Sequence, residues 1–276
     1  MEPMSHPLGH STNMVGLPTG LLGSVAFNDN PPDLHIANVR ETNGRLFEML
    51  AQSDGQTDAA EAFLKYMAAV FGADPEQQAP EDEAKTRRGW ARPYRASFLR
   101  LLIGWGYDAS SPEGAVLKGW VESRFGLLPT FHKEVVTCFD GPTWDGYEQD
   151  RMASEYHRNA IHGQLDLLYE YCQWVLATHV APECRHLTLY RGVNGFDEHR
   201  IVERIDRRTA VVRLNNLGSF TTDPEVADCF GDTVLTVRVP VVKVAFFNTL
   251  LPFYPLKGEG EFLVIGGDYL VTTNRG

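Results

Sequence analysis

Cysteine is scarce in this 276-residue chain and never closely paired. Cys138, Cys172, Cys184 and Cys229 are the four, and none falls in a CxxC spacing. That pattern supplies neither a disulfide scaffold nor a cysteine zinc site, and it fits a reducing cytoplasm. No apolar run reaches the length of a membrane span. Residues 1–13 lack a basic segment followed by an apolar core, so no signal peptide is expected. There is no GxGxxG and no GK[ST]. Gly20 and Gly23, in Pro18-Thr19-Gly20-Leu21-Leu22-Gly23, therefore read as part of an ordered loop and not as a phosphate loop. His157 and His162 stand five apart, where HExxH requires four, so no zinc helix is expected and the sequence requires no metal. No internal repeat is evident. Positive charge is also short: 25 Lys and Arg face 36 Asp and Glu, a net of −11. Nucleic acid selects for basic faces, so no nucleic-acid partner is expected. The deficit lies in residues 1–180, with 14 basic and 24 acidic side chains, while residues 181–276 carry 11 and 12. The nearly neutral C-terminal part can accept a small anionic ligand locally.

What is present is a chain with enough length and apolar content, 43% hydrophobic, for a real core. Its first half has helical spacing. Leu46 and Leu50 are four apart, and Ala60, Phe63, Leu64, Met67 and Val70 follow a 3–4 pattern. Residues 74–83 hold five acidic side chains and two prolines, a solvated connector. A basic stretch follows, with Lys85, Arg87, Arg88, Arg92, Arg95 and Arg100 among aromatic and leucine residues. Its bland reading is a face paired with nearby carboxylates; its sharper one is a partner-binding surface. Pro112 and Glu113 are placed as at a helix start. Residues 141–146 read as a turn cluster and a domain boundary. Residues 150–180 form the longest helical pattern, with Ile161, Leu165, Leu168, Cys172 and Val175 as its apolar stripe.

After Pro182 the pattern changes to strands. Residues 186–190 alternate and end at Arg191-Gly192. Residues 200–208 resemble a short charged helix. Residues 211–222 end in Ser219-Phe220-Thr221-Thr222, before the helix start Asp223-Pro224-Glu225. Two β-branched runs, 234–239 and 241–247, are separated by Pro240. A loop with Phe253 and Tyr254 leads to Lys257-Gly258-Glu259-Gly260-Glu261 and the strand 262–265. Gly266-Gly267-Asp268 is expected to turn the chain into a last strand, 269–273. Residues i and i+2 of a strand share a face, so Glu259 and Glu261 are expected to point together into one cleft. The fold class expected is α+β.

Three polar elements thus stand in order at strand ends: Tyr190-Arg191-Gly192, Ser219-Phe220-Thr221-Thr222 and Glu259-Gly260-Glu261. Their order resembles the Arg–Ser–Glu class of mono-ADP-ribosyltransferases, over roughly residues 185–273. Over its whole length the chain also resembles the dinitrogenase reductase ADP-ribosyltransferases of nitrogen-fixing bacteria. That likeness is carried by Asn13-Met14-Val15-Gly16-Leu17-Pro18, by residues 21–28, by Leu189-Tyr190-Arg191-Gly192 and by the stretch from Glu259 to Ile265. The resemblance implies a helical region, 1–145, packed on a compact two-sheet core, 146–276, that binds NAD as co-substrate. It implies as target an arginine of dinitrogenase reductase, the nitrogenase iron protein, and regulation by a PII-type nitrogen-signalling protein.

The chemistry suits these residue types. A guanidinium is a planar partner for phosphate oxygens, which suits Arg191 to the NAD pyrophosphate or the adjoining ribose. Gly192 leaves backbone bare for the nicotinamide amide. Ser219, with Phe220 and Thr221 beside it, is placed to bond Glu261 and set its rotamer. By the family pattern Glu261 bonds the ribose hydroxyl, and its charge favours the cation that develops as nicotinamide leaves. Glu259 is assigned to the acceptor arginine, whose pKa above about 12 makes it a poor nucleophile until a carboxylate orients it and takes its proton. In the family, glutamate at this position accompanies arginine acceptors. Phe253 and Tyr254 lie on the loop that contacts the protein target. Each motif singly has an ordinary structural role open to it: a strand-end arginine, a turn serine, edge-strand charges. Two other functions stay open beside transfer: an NAD glycohydrolase, for which Glu259 is dispensable, and a catalytically inactive NAD-binding regulator.

Overall fold

The structure, a computed structural model, describes residues 8–72, 96–153, 156, 160–196, 200–254 and 260–274. The acidic connector, residues 85–95 of the basic stretch, His157, and Lys257, Gly258 and Glu259 lie outside the described residues.

Short helices α1 (Thr19–Leu22), α2 (Val25–Asp29), α3 (Val39–Thr42) and α4 (Gly44–Leu50) lead into α5 (Gln56–Phe71). Two capped helices follow, α6 (Phe98–Tyr107) and α7 (Pro112–Phe125). The Ser97 side chain accepts from the Arg100 N–H, and the Ser111 side chain from the Gly114 N–H. Each serine satisfies a donor that a helix start leaves without an intrahelical partner. A small hairpin, β1 (Phe131–His132) and β2 (Glu134–Val135), precedes α8 (Pro142–Arg151) and α9 (Ile161–Val175), which runs on as a π-helical turn over Leu176–Val180. The remainder is strand-rich: β3 (His186–Val193), β4 (Ile201–Arg204), β5 (Thr209–Thr221), α10 (Pro224–Asp228), β6 (Thr233–Pro240), β7 (Val244–Phe247) and β8 (Glu261–Thr273).

Five local expectations differ from the structure. Residues 18–23 are not a loop, because Thr19–Leu22 form α1. Residues 141–146 start a helix: Gly141 is its N-cap and Pro142 its first residue, where a missing N–H costs nothing. The long pattern over 150–180 is two helices, because α8 ends at Arg151 and Ala160 takes φ +49, which a continuous right-handed helix excludes. Residues 201–204 are an edge strand pairing with 210–212 of β5. Exposed charges on an edge strand imitate a charged helix in sequence. Finally, Gly266-Gly267 does not reverse the chain; β8 runs straight through it. A Cβ at Gly266 would stand 1.8 Å from the Asn215 carbonyl, and Gly267 takes φ +119 against the backbone of Gly23. These glycines serve close backbone approach.

All the strands from β3 to β8 join one antiparallel sheet, ordered β4-β5-β3-β6-β8-β7, with β5 also paired to β8. β5 and β8, 13 residues each, pair from Thr209↔Thr272 to Thr221↔Glu261, with a register shift between Leu214 and Leu217. β3 lies along β6 from His186↔Pro240 to Val193↔Thr233 and meets β5 at Tyr190↔Thr221. β6 in turn pairs with β8, so β3, β6, β8 and β5 close a ring. That closure brings the C-terminal ends of β3 and β5 to the start of β8.

The irregularity in β5 also docks the helices. Asn215 accepts from the Thr130 N–H at 2.9 Å and donates to the Phe131 carbonyl at 3.0 Å. Asn216 donates to the carbonyls of Lys118 at 2.9 Å and Leu127 at 3.0 Å. On the other side α9 is buried around nearly its whole circumference, beyond the single stripe its sequence suggests, and its polar side chains act as pins. Gln164 accepts from the Phe98 N–H, Asp166 from Trp120 Nε1 and both arms of Arg124, and Glu170 from the Ile36 N–H and Arg40; Gln173 donates to the Val244 carbonyl. These four buried side chains each find a partner, which is the condition for burying them. One apolar cluster runs from Leu22 on α1 to Val271 on β8 and includes residues of every larger helix but α8.

Candidate functional site

The ring brings Arg191 to Ser219. The Arg191 guanidinium donates through Nη1 to the Ser219 carbonyl at 2.7 Å, and its Cζ stands 5.8 Å from the centroid of the Phe220 ring. Gly218 leaves room for it: a Cβ there would lie 3.2 Å from Nη1. Burial of the guanidinium lowers its pKa from the usual arginine range. Among the described residues no carboxylate pairs with it; a carbonyl and an aromatic face are its partners. A cation held this way retains donors for an anion brought by a ligand.

Glu261 opens β8 directly opposite Thr221, and Ser219 stands opposite Leu263. Directly opposed residues of an antiparallel pair share a face, so Ser219, Thr221 and Glu261 lie on one face, with Ser219 diagonal to Glu261. The two share no hydrogen bond within the described residues. Instead the Ser219 hydroxyl accepts from the indole Nε1 of Trp105 at 2.9 Å. Thr221, buried, accepts from the Asp223 N–H at 3.1 Å and so fixes the turn into α10. Asp223 in turn caps α10 by accepting from the Glu225 N–H.

Gly260 has φ +66, the left-handed region that favours glycine. β8 begins only after it. The strand alternation expected to align two carboxylates therefore reaches Glu261 and stops there; Glu259 is outside the described residues. Gly192 is bare for a packing reason too: a Cβ would stand 2.0 Å from the Ala227 carbonyl on α10. Phe253 is exposed on the loop after β7, whereas Tyr254 is partly buried against the main core. His162 lies at the N-terminal end of α9. Among the described residues no group of three or more His, Cys, Asp and Glu is arranged to hold a metal.

Two residues that the strand motifs did not reveal approach from the helical half. Trp105, on α6, is nearly inaccessible and bonds Ser219. Lys118, on α7, is 1% exposed, with Nζ 5.9 Å from the Trp105 ring centroid. It donates to the Phe131 carbonyl at 3.1 Å and to His132 Nδ1 at 3.3 Å. Burial pulls its pKa down to about 8; Asp108 opposes the shift and Arg191 adds to it. Burial likewise lowers the pKa of His132, whose Nε2 is 3.0 Å from Asp150. A neutral imidazole with its proton on Nε2 fits both contacts. In sequence the signal for Lys118 was a single cation inside the apolar run 115–121. Trp105 had none, since it falls in an ordinary apolar stripe.

A family model for dinitrogenase reductase ADP-ribosyltransferase matches residues 12–273. The chain is similar to the NAD(+)–dinitrogen-reductase ADP-D-ribosyltransferase of Rhodospirillum rubrum, 61% identical over 264 residues that cover 96% of this chain and 95% of the relative. No solved structure matches it. Family match and identity both extend over helices and strands alike, well beyond the three strand-end motifs. The chain belongs to the dinitrogenase reductase ADP-ribosyltransferase family.

Proposed function

We propose that this protein transfers ADP-ribose from NAD to an arginine of dinitrogenase reductase, the nitrogenase iron protein, and so switches nitrogen fixation off. The observation that carries the reading is the meeting of Arg191, Ser219 and Glu261 at neighbouring strand ends, with a buried guanidinium that no described carboxylate neutralises. Membership of the family and the activity named for the Rhodospirillum rubrum relative support the reaction and the target.

NAD supplies the ADP-ribosyl group and a positively charged nicotinamide leaving group. Arg191 is assigned to the pyrophosphate or adjoining ribose, and the fit is chemical: a guanidinium with spare donors meets an anion. The backbone of Gly192 is assigned to the nicotinamide amide, with Phe220 and Thr221 shaping the same wall. Glu261 accepts from the ribose hydroxyl and stabilises positive charge developing beside it. Glu259 orients the acceptor guanidinium and takes its proton as the new bond forms. Phe253 and Tyr254 contact the target. We further propose that 146–276 is the NAD-binding core, its sheet folded into two leaves at the Asn215–Asn216 irregularity, with 1–145 packed on it. The proposed compartment is the cytoplasm, and the proposed regulator is a PII-type nitrogen-signalling protein, for which the cluster of basic residues in the sequence between 85 and 100 is the candidate contact.

The test uses purified protein, labelled NAD and purified dinitrogenase reductase. The expected result is label on one arginine of the target. In Glu259→Gln, label transfer is lost while NAD hydrolysis survives. No label on the target, or unchanged transfer by Glu259→Gln, overturns the corresponding part of the proposal.

A further inference from the structure

We infer that Trp105 is a positioning residue of the transfer site, acting through the hydroxyl of Ser219. The inference rests on the proposed function and adds to it a residue from the helical half. A serine hydroxyl has one proton and two lone pairs. The indole N–H can only donate, so at 2.9 Å it occupies a lone pair of Ser219 Oγ and leaves the hydroxyl proton free to donate elsewhere. Among the described residues that proton has no acceptor. Glu261 lies diagonally across the β5–β8 pair on the same face, so the oriented hydroxyl becomes a donor to the Glu261 carboxylate. Without Trp105 the hydroxyl can rotate and accept or donate at will, and the carboxylate loses a directed partner.

The indole is itself held in place by a chain of contacts. Lys118 Nζ lies against its face, the Phe131 carbonyl and His132 Nδ1 hold Lys118, and Asp150 on α8 holds His132. The Lys118 and Leu127 carbonyls are tied to β5 through Asn216. Four segments of the helical half, α6, α7, β1 and α8, thus converge on one hydroxyl of the sheet. A side chain held by packing and by its own supported partners keeps a site within the narrow geometry that catalysis requires.

The experiment is a double-mutant cycle on the full-length protein with labelled NAD and dinitrogenase reductase: wild type, Trp105→Phe, Ser219→Ala and the double variant. Trp105→Phe keeps an aromatic ring and removes the donor. The expected result is a fall of about tenfold in kcat, the worth of one directed hydrogen bond, with KM for NAD changed less than threefold. The double variant is expected to be no slower than Ser219→Ala alone, because Trp105 acts only through that hydroxyl. Losses that multiply in the double variant, or a Trp105→Phe enzyme as fast as wild type, overturn the inference. If Trp105→Phe does not fold, 3-benzothienylalanine at position 105 keeps the bicyclic shape, replaces N–H by sulfur and is judged by the same two criteria. A wild-type protein with neither transfer nor NAD hydrolysis would refute the proposed function itself, a result distinct from failure of the cycle.

Discussion

Lys243 is a buried cation whose cost can be read from the pH dependence of stability. It ends the turn between β6 and β7 and is wholly inaccessible. Its Nζ lies between the rings of Phe27 at 5.1 Å and Tyr269 at 4.9 Å and donates to the Gly266 carbonyl at 3.3 Å. Burial lowers its pKa from 10.5 to about 7, with Asp268 opposing the shift. Because the folded pKa is lowered, the unfolded chain binds more protons between pH 7 and pH 10.5, and stability rises with pH across that window. For this one group the rise from pH 7 to pH 9 is roughly 2 kcal/mol by linkage. Lys118, at about 8, adds a smaller rise of the same sign. Above pH 9 the buried Cys172 and Tyr269, both raised by burial, act oppositely, so the useful window closes there. Lys243→Met removes the titration and also takes from the Gly266 carbonyl its Lys243 donor, at about 1–3 kcal/mol. Gain and loss offset each other in good part at pH 7, and the slope carries the test. Urea unfolding at pH 7, 8 and 9 is expected to show the variant's rise smaller than the wild type's by about 2 kcal/mol. Equal slopes would mean that Lys243 is not a buried cation titrating in this window.

Two further substitutions probe the framework around the site. Gly192→Ala places a Cβ 2.0 Å from the Ala227 carbonyl, so α10 must move off β3; a loss of about 1–3 kcal/mol in thermal unfolding is expected, with weaker NAD binding by calorimetry. Glu170→Ala removes the buried acceptor of the Ile36 N–H and Arg40; stability should fall by about 2–3 kcal/mol, and limited proteolysis should cut first within residues 30–43.

Much of the strand-rich half was readable because its signals are local. Asp223-Pro224 announced a capped helix, and the helix is there. The ends of β3 and β5 fell within three residues of expectation, since β-branched alternation is a short-range pattern. The errors came where two structures share one composition. Ile201 to Arg204 has the charges of an exposed helix, and only pairing with β5 makes it a strand. Gly266-Gly267 looks like a reversal, yet the glycines are there because Asn215 and Gly23 press against them. The site shows the same division. Arg191, Ser219 and Glu261 were visible as an ordered set, but the ring closure that joins the first two depends on the Tyr190↔Thr221 bridge between strands about thirty residues apart. The Trp105 and Lys118 contributions come from a tertiary contact more than a hundred residues away in sequence, which no periodicity encodes.

The proposed division of labour between the three strand-end residues rests on Glu261 above all. The most direct measurement is the kcat for ADP-ribose transfer to dinitrogenase reductase by Glu261→Gln, which keeps the side chain's size and removes its charge, with NAD binding followed by calorimetry. A fall in kcat of about two to three orders of magnitude is expected, with NAD affinity within a few-fold of wild type. Transfer within a few-fold of the wild-type rate would contradict it.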